Sequence, residues 1–241
     1  MTRRGRTGWI GALLGLALCG GAEAQTPAAA GPRRVLIIGD SMMRLTAHSL
    51  KLALEKQPNV TARDFTSLGS GLARLDVFDW LAKADELVGE FQPDATIAWF
   101  GTNDRQPMQT AAGVVQPGTA PWDDEYARRV GALMDRLGAA PGARVLWLEL
   151  PDMRDAKIQS DVDAINRIVK AEADRRPAVT FVPARGWLTR RPGTFAPYLP
   201  GPKGIPVSVR DPDGVHLSRA GADMMAERLV GILFGGAPAA P

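Results

Sequence analysis

The chain has 241 residues, of which 45% are hydrophobic and 23% charged, with a formal net charge of +3. That balance suits one globular domain and excludes collagen-like, coiled-coil and disordered classes. No basic stripe with interleaved aromatics is present, so nucleic acid is not an expected partner. The chain opens on a targeting pattern. Arg3, Arg4 and Arg6 form a basic start, an apolar run extends from Trp9 to about Cys19, and Ala22-Glu23-Ala24 supplies a small-x-small cleavage site. We expect cleavage near Ala24 and export to the periplasm or medium. The run is shorter than the ~20 apolar residues that cross a bilayer, so no stable membrane insertion is expected after processing; a retained N-terminal anchor is the alternative. Removing Arg3, Arg4, Arg6 and Glu23 lowers the net charge to about +1 and discounts the pI of 9.3. Cys19 is the only cysteine, so the processed chain has no disulfide, thiol nucleophile or Cys-based metal site.

Residues 25–33, rich in Ala, Pro and Gly, read as a flexible leader, and residues 34–236 as the domain, with 237–241 a short tail. Val35-Leu36-Ile37-Ile38 has the β-branched apolar character of a buried strand, ends at Gly39-Asp40-Ser41, and precedes a helical pattern to about Lys56. A weaker strand spans Val60 to Phe65, followed by the loop Ser67-Leu68-Gly69-Ser70-Gly71. Asp76 is the expected cap of a helix in which Val77, Trp80, Leu81, Ala84, Leu87, Val88 and Phe91 recur at helical spacing. Ala95 to Phe100 is a further buried strand, ending at Gly101-Thr102-Asn103-Asp104. A long loop is expected over 105–122. Asp123, Asp124 and Glu125 then begin a helix whose dipole they favour. Arg144 to Leu150 reads as a strand, Val162 to Val169 marks a helix, and Val179 to Val182 is the last strand. Residues 184–212 read as irregular, and Ser218 caps a final helix. Alternating strands and helices predict an α/β domain with a mostly parallel central sheet. Ligands bind such sheets beyond the carboxyl ends of the strands.

The residues able to carry chemistry fall at those ends. Ser41 directly follows a strand, where helix-start N–H groups favour an anion; an ordinary N-cap serine is the plainer reading. A serine needs a base. Of the two histidines, His48 lies on Ser41's own helix, two turns on. His216 stands in Asp213-Gly214-Val215-His216, where an acid three residues earlier can take the Nδ1–H and leave Nε2 for the serine proton. The amide of Asn103 can donate to an oxyanion, and so can a loop N–H from Gly71, with Gly69 as competitor. No metal-ligand cluster appears, so no cofactor is expected.

Gly-Asp-Ser near the start, the loop glycine, Gly-x-Asn-Asp in mid-chain and Asp-x-x-His near the end resemble, in order and spacing over about residues 34–234, the four blocks of the SGNH (GDSL-like) hydrolases. Ser-Gly-Leu-Ala-Arg-Leu-Asp-Val-Phe-Asp-Trp (70–80) and Asn-Asp-Arg-Gln (103–106) further resemble an exported bacterial branch catalogued as a domain of unknown function. The resemblance implies a flavodoxin-like three-layer α/β/α fold. It implies a Ser41–His216–Asp213 triad and an oxyanion hole from the N–H of Ser41, the N–H of Gly71 and the Asn103 side chain. Met42 departs from the family motif, which has leucine there. The expected reaction is cleavage of carboxylic esters, O-acetyl esters above all, on envelope glycans or lipids through an acyl-Ser41 intermediate. Two rivals are an O-acyltransferase using the same residues and a non-catalytic envelope-binding module. The long loops at 105–122 and 184–212 are expected to border the site. Arg105 can contact an anionic group or be a plain loop charge; Trp122 and Trp187 can stack on sugar or pack in the core. Oligomeric state is not legible from the sequence.

Overall fold

The computed structural model describes Met1, residues 31–191 and residues 193–235. The basic and apolar N-terminal pattern, the cleavage point at Ala24, most of the 25–33 leader and the 237–241 tail lie outside the described residues. Five parallel strands form the central sheet: β1 (Arg34–Gly39), β2 (Thr61–Thr66), β3 (Ala95–Trp99), β6 (Arg144–Leu148) and β7 (Val179–Val182), in the order β2-β1-β3-β6-β7. The crossovers are α1 (Met43–Leu54), α2 (Trp80–Phe91), α3 (Ala120–Leu137) and α4 (Ala156–Asp174), and α5 (Arg219–Phe234) closes the fold. α1 packs on α5, while α2, α3 and α4 pack in a row, giving three α/β/α layers. Among the described residues no helix is long and apolar enough to cross a membrane.

Burial follows from this layering. Val35 to Ile38 and all of β3 are buried, as expected for central strands covered on both faces. The edge strand β2, Thr61-Ala62-Arg63-Asp64-Phe65-Thr66, is mostly half-buried and carries charges that suit an edge. Phe65, Trp80, Phe100 and Trp147 form a chain of aromatic contacts, two edge-to-face and the last tilted, with centroids 5.8, 4.7 and 5.4 Å apart. Each such pair contributes about 0.5–1.5 kcal/mol beyond its area burial.

Several boundaries differ from expectation. Asp76 does not cap α2. Its carboxylate is taken by the Arg74 guanidinium at 2.8 and 2.7 Å, and residues 72–78 form turns that leave Val77 exposed. The cap is Asp79, which accepts the N–H of Leu81 and Ala82 at 2.9 and 3.0 Å. The segment 105–122 is not one loop. It holds an antiparallel hairpin, β4 (Met108–Thr110) and β5 (Gly113–Val115), and the first residues of α3. α3 begins at Ala120 behind Thr119, with Pro121 in its first turn, a position where proline's missing N–H has no helical partner to lose. Residues 184–212 likewise contain a second hairpin, β8 (Tyr198–Pro200) and β9 (Pro206–Ser208). Three-residue strands carry too few alternations to show in a periodicity. Ser218 does cap α5, accepting the Gly221 N–H at 3.1 Å.

The strand order places a topological switch between β1 and β3. The chain leaves β1 toward β2 on one side, then returns across it to β3 on the other. The crevice beyond the carboxyl ends of β1 and β3 is where such sheets bind ligands, and Ser41 and Asn103 follow those two strands.

Candidate active site

The turn from β1 into α1 is tight. The N–H groups of Met43 and Arg44 donate to the carbonyls of Asp40 and Ser41 at 3.1 and 3.3 Å, so α1 starts with three-residue turns and Ser41 stands in the first of them. Gly39 is required here. A Cβ on it would lie 2.3 Å from the Trp99 carbonyl oxygen and 2.6 Å from the Met43 Cβ. Met42 is buried and borders the groove beside Ser41, so the departure from leucine is a packing change between two apolar side chains.

His216 comes from the other end of the chain and meets Ser41. Its Nε2 lies 2.8 Å from Ser41 Oγ and its Nδ1 lies 2.5 Å from Asp213 Oδ2. The other carboxylate oxygen of Asp213 accepts the N–H of Val215 and His216 at 2.8 and 3.0 Å. Partial burial would raise the Asp213 pKa, but the hydrogen bonds from the His216 ring and from these two N–H groups outweigh it and hold it down at about 2. The ionised acid therefore faces Nδ1–H, and the lone pair of Nε2 faces the serine hydroxyl. His48 is exposed on α1 and takes no part.

The loop that carries this pair is clamped by arginines that the sequence reading did not single out. Arg210 is buried; its guanidinium donates to the carbonyls of Asp152 and Val215 at 2.6 and 2.8 Å and stacks over Phe195 at 4.8 Å. Burial pushes its pKa down to about 10, so it stays charged at neutral pH. Arg154 donates to the Pro212 carbonyl at 2.7 Å, and its side chain lies 2.7 Å from where a Cβ on Gly214 would fall. Gly214 has φ +79°, which also favours glycine.

The three expected oxyanion donors lie on adjacent segments. Asn103 follows β3, and its amide donates one N–H to the Ser70 carbonyl at 3.0 Å, leaving the second for another acceptor. Among the described residues no acceptor faces the backbone N–H of Ser41 or of Gly71. Gly71 is buried, whereas Gly69 is exposed. The two glycines exist for different reasons. Gly69 has φ +68° and open space around it, while a Cβ on Gly71 would lie 2.0 Å from Asp104 Oδ1. A buried, unpartnered N–H is rare in folded proteins, and of the two glycines Gly71 is the buried one. Trp80 steadies this loop by donating from Nε1 to Ser70 Oγ at 2.9 Å.

A groove of about 310 Å³ opens over Ser41 and His216, lined also by Arg44, Leu45, Leu68 and Asp211. The 105–122 segment contributes nothing to this lining, and 184–212 contributes Asp211 alone. Arg105 lies outside the groove. Its guanidinium is bound to Asp161 at 3.0 Å, sits 3.8 Å from Asp123 and stacks over Trp122 at 4.9 Å, so its charge is already matched. Trp122 is buried against Tyr126, with ring centroids 4.9 Å apart, and Trp187 packs on the core beneath Arg228.

Two buried acids border the site. Asp40 and Asp104 are wholly buried. Burial pushes Asp40 up to about 7, Asp104 adds to the rise, and the N–H groups of Gly101 and Met42 oppose it. Burial also raises Asp104, against hydrogen bonds from the Ala73 N–H and the Tyr126 hydroxyl.

The profile of the family described as "Protein of unknown function (DUF459)" matches residues 34–231. No curated protein matches the chain. Solved structures share its fold at low identity. One is the C-terminal catalytic domain of peptidoglycan O-acetyltransferase A from Streptococcus pneumoniae, at 15% identity and TM-score 0.53, with 84% of this chain and 93% of that one covered. A second, from Slackia heliotrinireducens and assigned as an SGNH hydrolase, has 20% identity and TM-score 0.50 over 80% and 94% of the two chains. A third is a family two carbohydrate esterase from Cellvibrio japonicus, at 18% identity and TM-score 0.50; 86% of this chain covers 62% of that one.

Proposed function

This chain belongs to the DUF459 family and has the fold of the SGNH hydrolases, and from that premise we propose that it is a serine esterase with Ser41 as nucleophile, His216 as base and Asp213 as the acid that orients it. The observation that carries the reading is the unbroken line Ser41 Oγ–His216 Nε2, 2.8 Å, and His216 Nδ1–Asp213 Oδ2, 2.5 Å. His216 removes the hydroxyl proton as Ser41 Oγ attacks an ester carbonyl. The oxyanion forms between the N–H of Ser41, the N–H of Gly71 and the amide of Asn103. The alcohol leaves with the proton from His216, and water, activated by the same imidazole, hydrolyses the acyl-Ser41.

The groove's size supports a small ester. About 310 Å³ is at the low end of small-molecule sites and suits a short acyl group with part of a sugar ring. With the basic-apolar-Ala-x-Ala pattern at the N-terminus, this favours O-acetyl groups on exported envelope glycans, with the chain acting in the periplasm or outside the cell. The likeness to a peptidoglycan O-acetyltransferase domain and to a carbohydrate esterase supports the same substrate class. It also keeps transfer of the acetyl group to a glycan hydroxyl as the second reading.

The test is turnover of p-nitrophenyl acetate, butyrate and octanoate by the purified chain, with a fluorophosphonate mapped by mass spectrometry. We expect acetate to be the best ester and the adduct to lie on Ser41. A folded chain that turns over no ester and takes no phosphonate at Ser41 sinks the proposal. Acetyl recovered on an added glycan in place of water identifies the transferase. Asn103→Ala is expected to lower kcat by about 10²–10³, as loss of one oxyanion donor does, with the Ser41 adduct still formed; unchanged kcat removes Asn103 from the hole.

A further inference from the structure

The mechanism above leaves two buried carboxylates without a role, Asp40 and Asp104. Their contacts follow a pattern. Asp40 accepts the N–H of Met42 on Oδ1 at 2.8 Å and the N–H of Gly101 on Oδ2 at 2.9 Å. It thus bridges the turn that carries Ser41 to the segment that carries Asn103. Asp104 accepts the N–H of Ala73 on Oδ1 at 2.9 Å and the Tyr126 hydroxyl on Oδ2 at 2.7 Å. It ties the Asn103 segment to the loop that carries Gly71, and both to α3. The fit on Gly71 leaves no slack, since even a methyl there would lie 2.0 Å from Asp104 Oδ1. Arg129, also buried, closes the same loop from α3 by donating to the carbonyls of Leu72 and Ala73 at 3.0 and 2.8 Å.

A buried carboxylate is unfavourable unless its hydrogen bonds are met, and these two meet theirs largely on backbone N–H groups of the three donor segments. The Asp40 N–H also meets the Trp99 carbonyl at 3.2 Å and the Asn103 amide the Ser70 carbonyl at 3.0 Å, and the two carboxylates add the buried ties that complete the frame. An oxyanion hole works only when its donors are already in place, because moving dipoles during the reaction forfeits the stabilisation.

We propose that Asp40 and Asp104 are positioning residues that hold the Ser41, Gly71 and Asn103 segments at one fixed separation. The inference rests on the serine esterase reading. Its signature is a loss confined to the transition state: substrate binds in the groove as before, while the oxyanion meets misplaced donors. The raised pKa of Asp40 accords with a carboxylate kept in the core for geometry despite its burial.

The experiment compares wild type, Ser41→Ala, Asp40→Asn, Asp104→Asn and Tyr126→Phe on p-nitrophenyl acetate, with thermal melts and circular dichroism to confirm folding. At Asp40 an asparagine sets an N–H₂ against one of two backbone N–H groups that need an acceptor, so one bridged segment must shift; at Asp104 its oxygen keeps the Ala73 N–H while its N–H₂ turns to the Tyr126 hydroxyl, which must then accept. We expect Asp40→Asn, where folded, to lose about 10²-fold in kcat with KM near wild type, the size of a 1 Å misplacement, and Asp104→Asn, whose tie to Tyr126 is weakened but not broken, to lose about tenfold. Their affinity for methylboronic acid, whose tetrahedral adduct mimics the oxyanion, should fall in parallel. Tyr126→Phe removes only the hydroxyl from a stacked ring and decides the matter if neither asparagine variant folds; about a tenfold loss is expected. Folded carboxylate or Tyr126 variants with wild-type kcat and boronate affinity overturn the proposal, while active wild type beside inactive Ser41→Ala leaves the esterase reading intact. A wild-type chain without turnover overturns the esterase reading and this inference with it.

Discussion

Ser41→Ala and His216→Ala are each expected to lower kcat on p-nitrophenyl acetate by about 10⁶, and the double variant to be no slower than either one alone. Non-additivity is the informative part. Nucleophile and base act as a unit, so once either is gone the other has nothing to do, and the residual rate comes from the oxyanion donors and binding. The geometry predicts this coupling because the Ser41 hydroxyl and His216 Nε2 are 2.8 Å apart. Steady-state assays of the three variants check it. KM should change little, since removing the hydroxyl does not alter the groove walls at Leu45, Leu68 and Arg44. Losses that multiply in the double variant would mean that Ser41 and His216 act independently and that the triad assignment is wrong.

Asp213→Asn is expected to lower kcat by about 10⁴ while leaving the fold in place. The reason lies in how Asp213 is pinned. One oxygen is held by the N–H of Val215 and of His216, so an asparagine keeps its own oxygen there and turns its N–H₂ toward His216 Nδ1. Nδ1 must then accept, Nε2 carries the proton, and the imidazole offers Ser41 a donor where it needs an acceptor. A wrong tautomer of this kind costs about 10⁴ in kcat. Asp213 also has a pH signature. Its folded pKa of about 2 lies below the ordinary 3.8, so the stability it contributes is present above about pH 4 and is lost as the pH falls through about 2. Asp213 is half-exposed, so this contribution is small after solvent screening. Denaturant melts of wild type and Asp213→Asn should differ most at neutral pH and converge near pH 2. A gap that persists unchanged at pH 2 would show that the ionised Asp213 carboxylate is not its source.

The sequence was most readable where one residue's environment depends on its immediate neighbours. The β-branched run Val35 to Ile38, the β3 run from Ala95 and the periodic faces of α2 to α5 identified the α/β alternation, since covered parallel strands and amphipathic helices leave distinct local patterns. Ser41, Asn103, Asp213 and His216 stand out in the sequence because short motifs at strand and helix ends carry their own chemistry, and the fold brings Ser41, His216 and Asp213 into one hydrogen-bonded line. The cap of α2 is Asp79 and not the expected Asp76 because both are equally good caps in sequence, and only Arg74's capture of the Asp76 carboxylate separates them. The hairpins at β4–β5 and β8–β9 are too short to carry a period. Arg105 reads from sequence as either an anion contact or a plain loop charge, because its partners Asp161 and Asp123 are 56 and 18 residues away.

The sequence by itself thus determined the layer architecture and the four segments able to hold chemistry, because both follow from residue type and local spacing. Tertiary structure alone decided that Ser41 and His216, 175 residues apart, share one hydrogen bond. It decided that Gly71 rather than Gly69 sits buried, and that Asp40 and Asp104 tie the segments of Ser41, Gly71 and Asn103 together. The physical reason is the same in each case: a hydrogen bond or a close approach between distant segments depends on where the sheet delivers them, and no local pattern in the chain encodes that meeting.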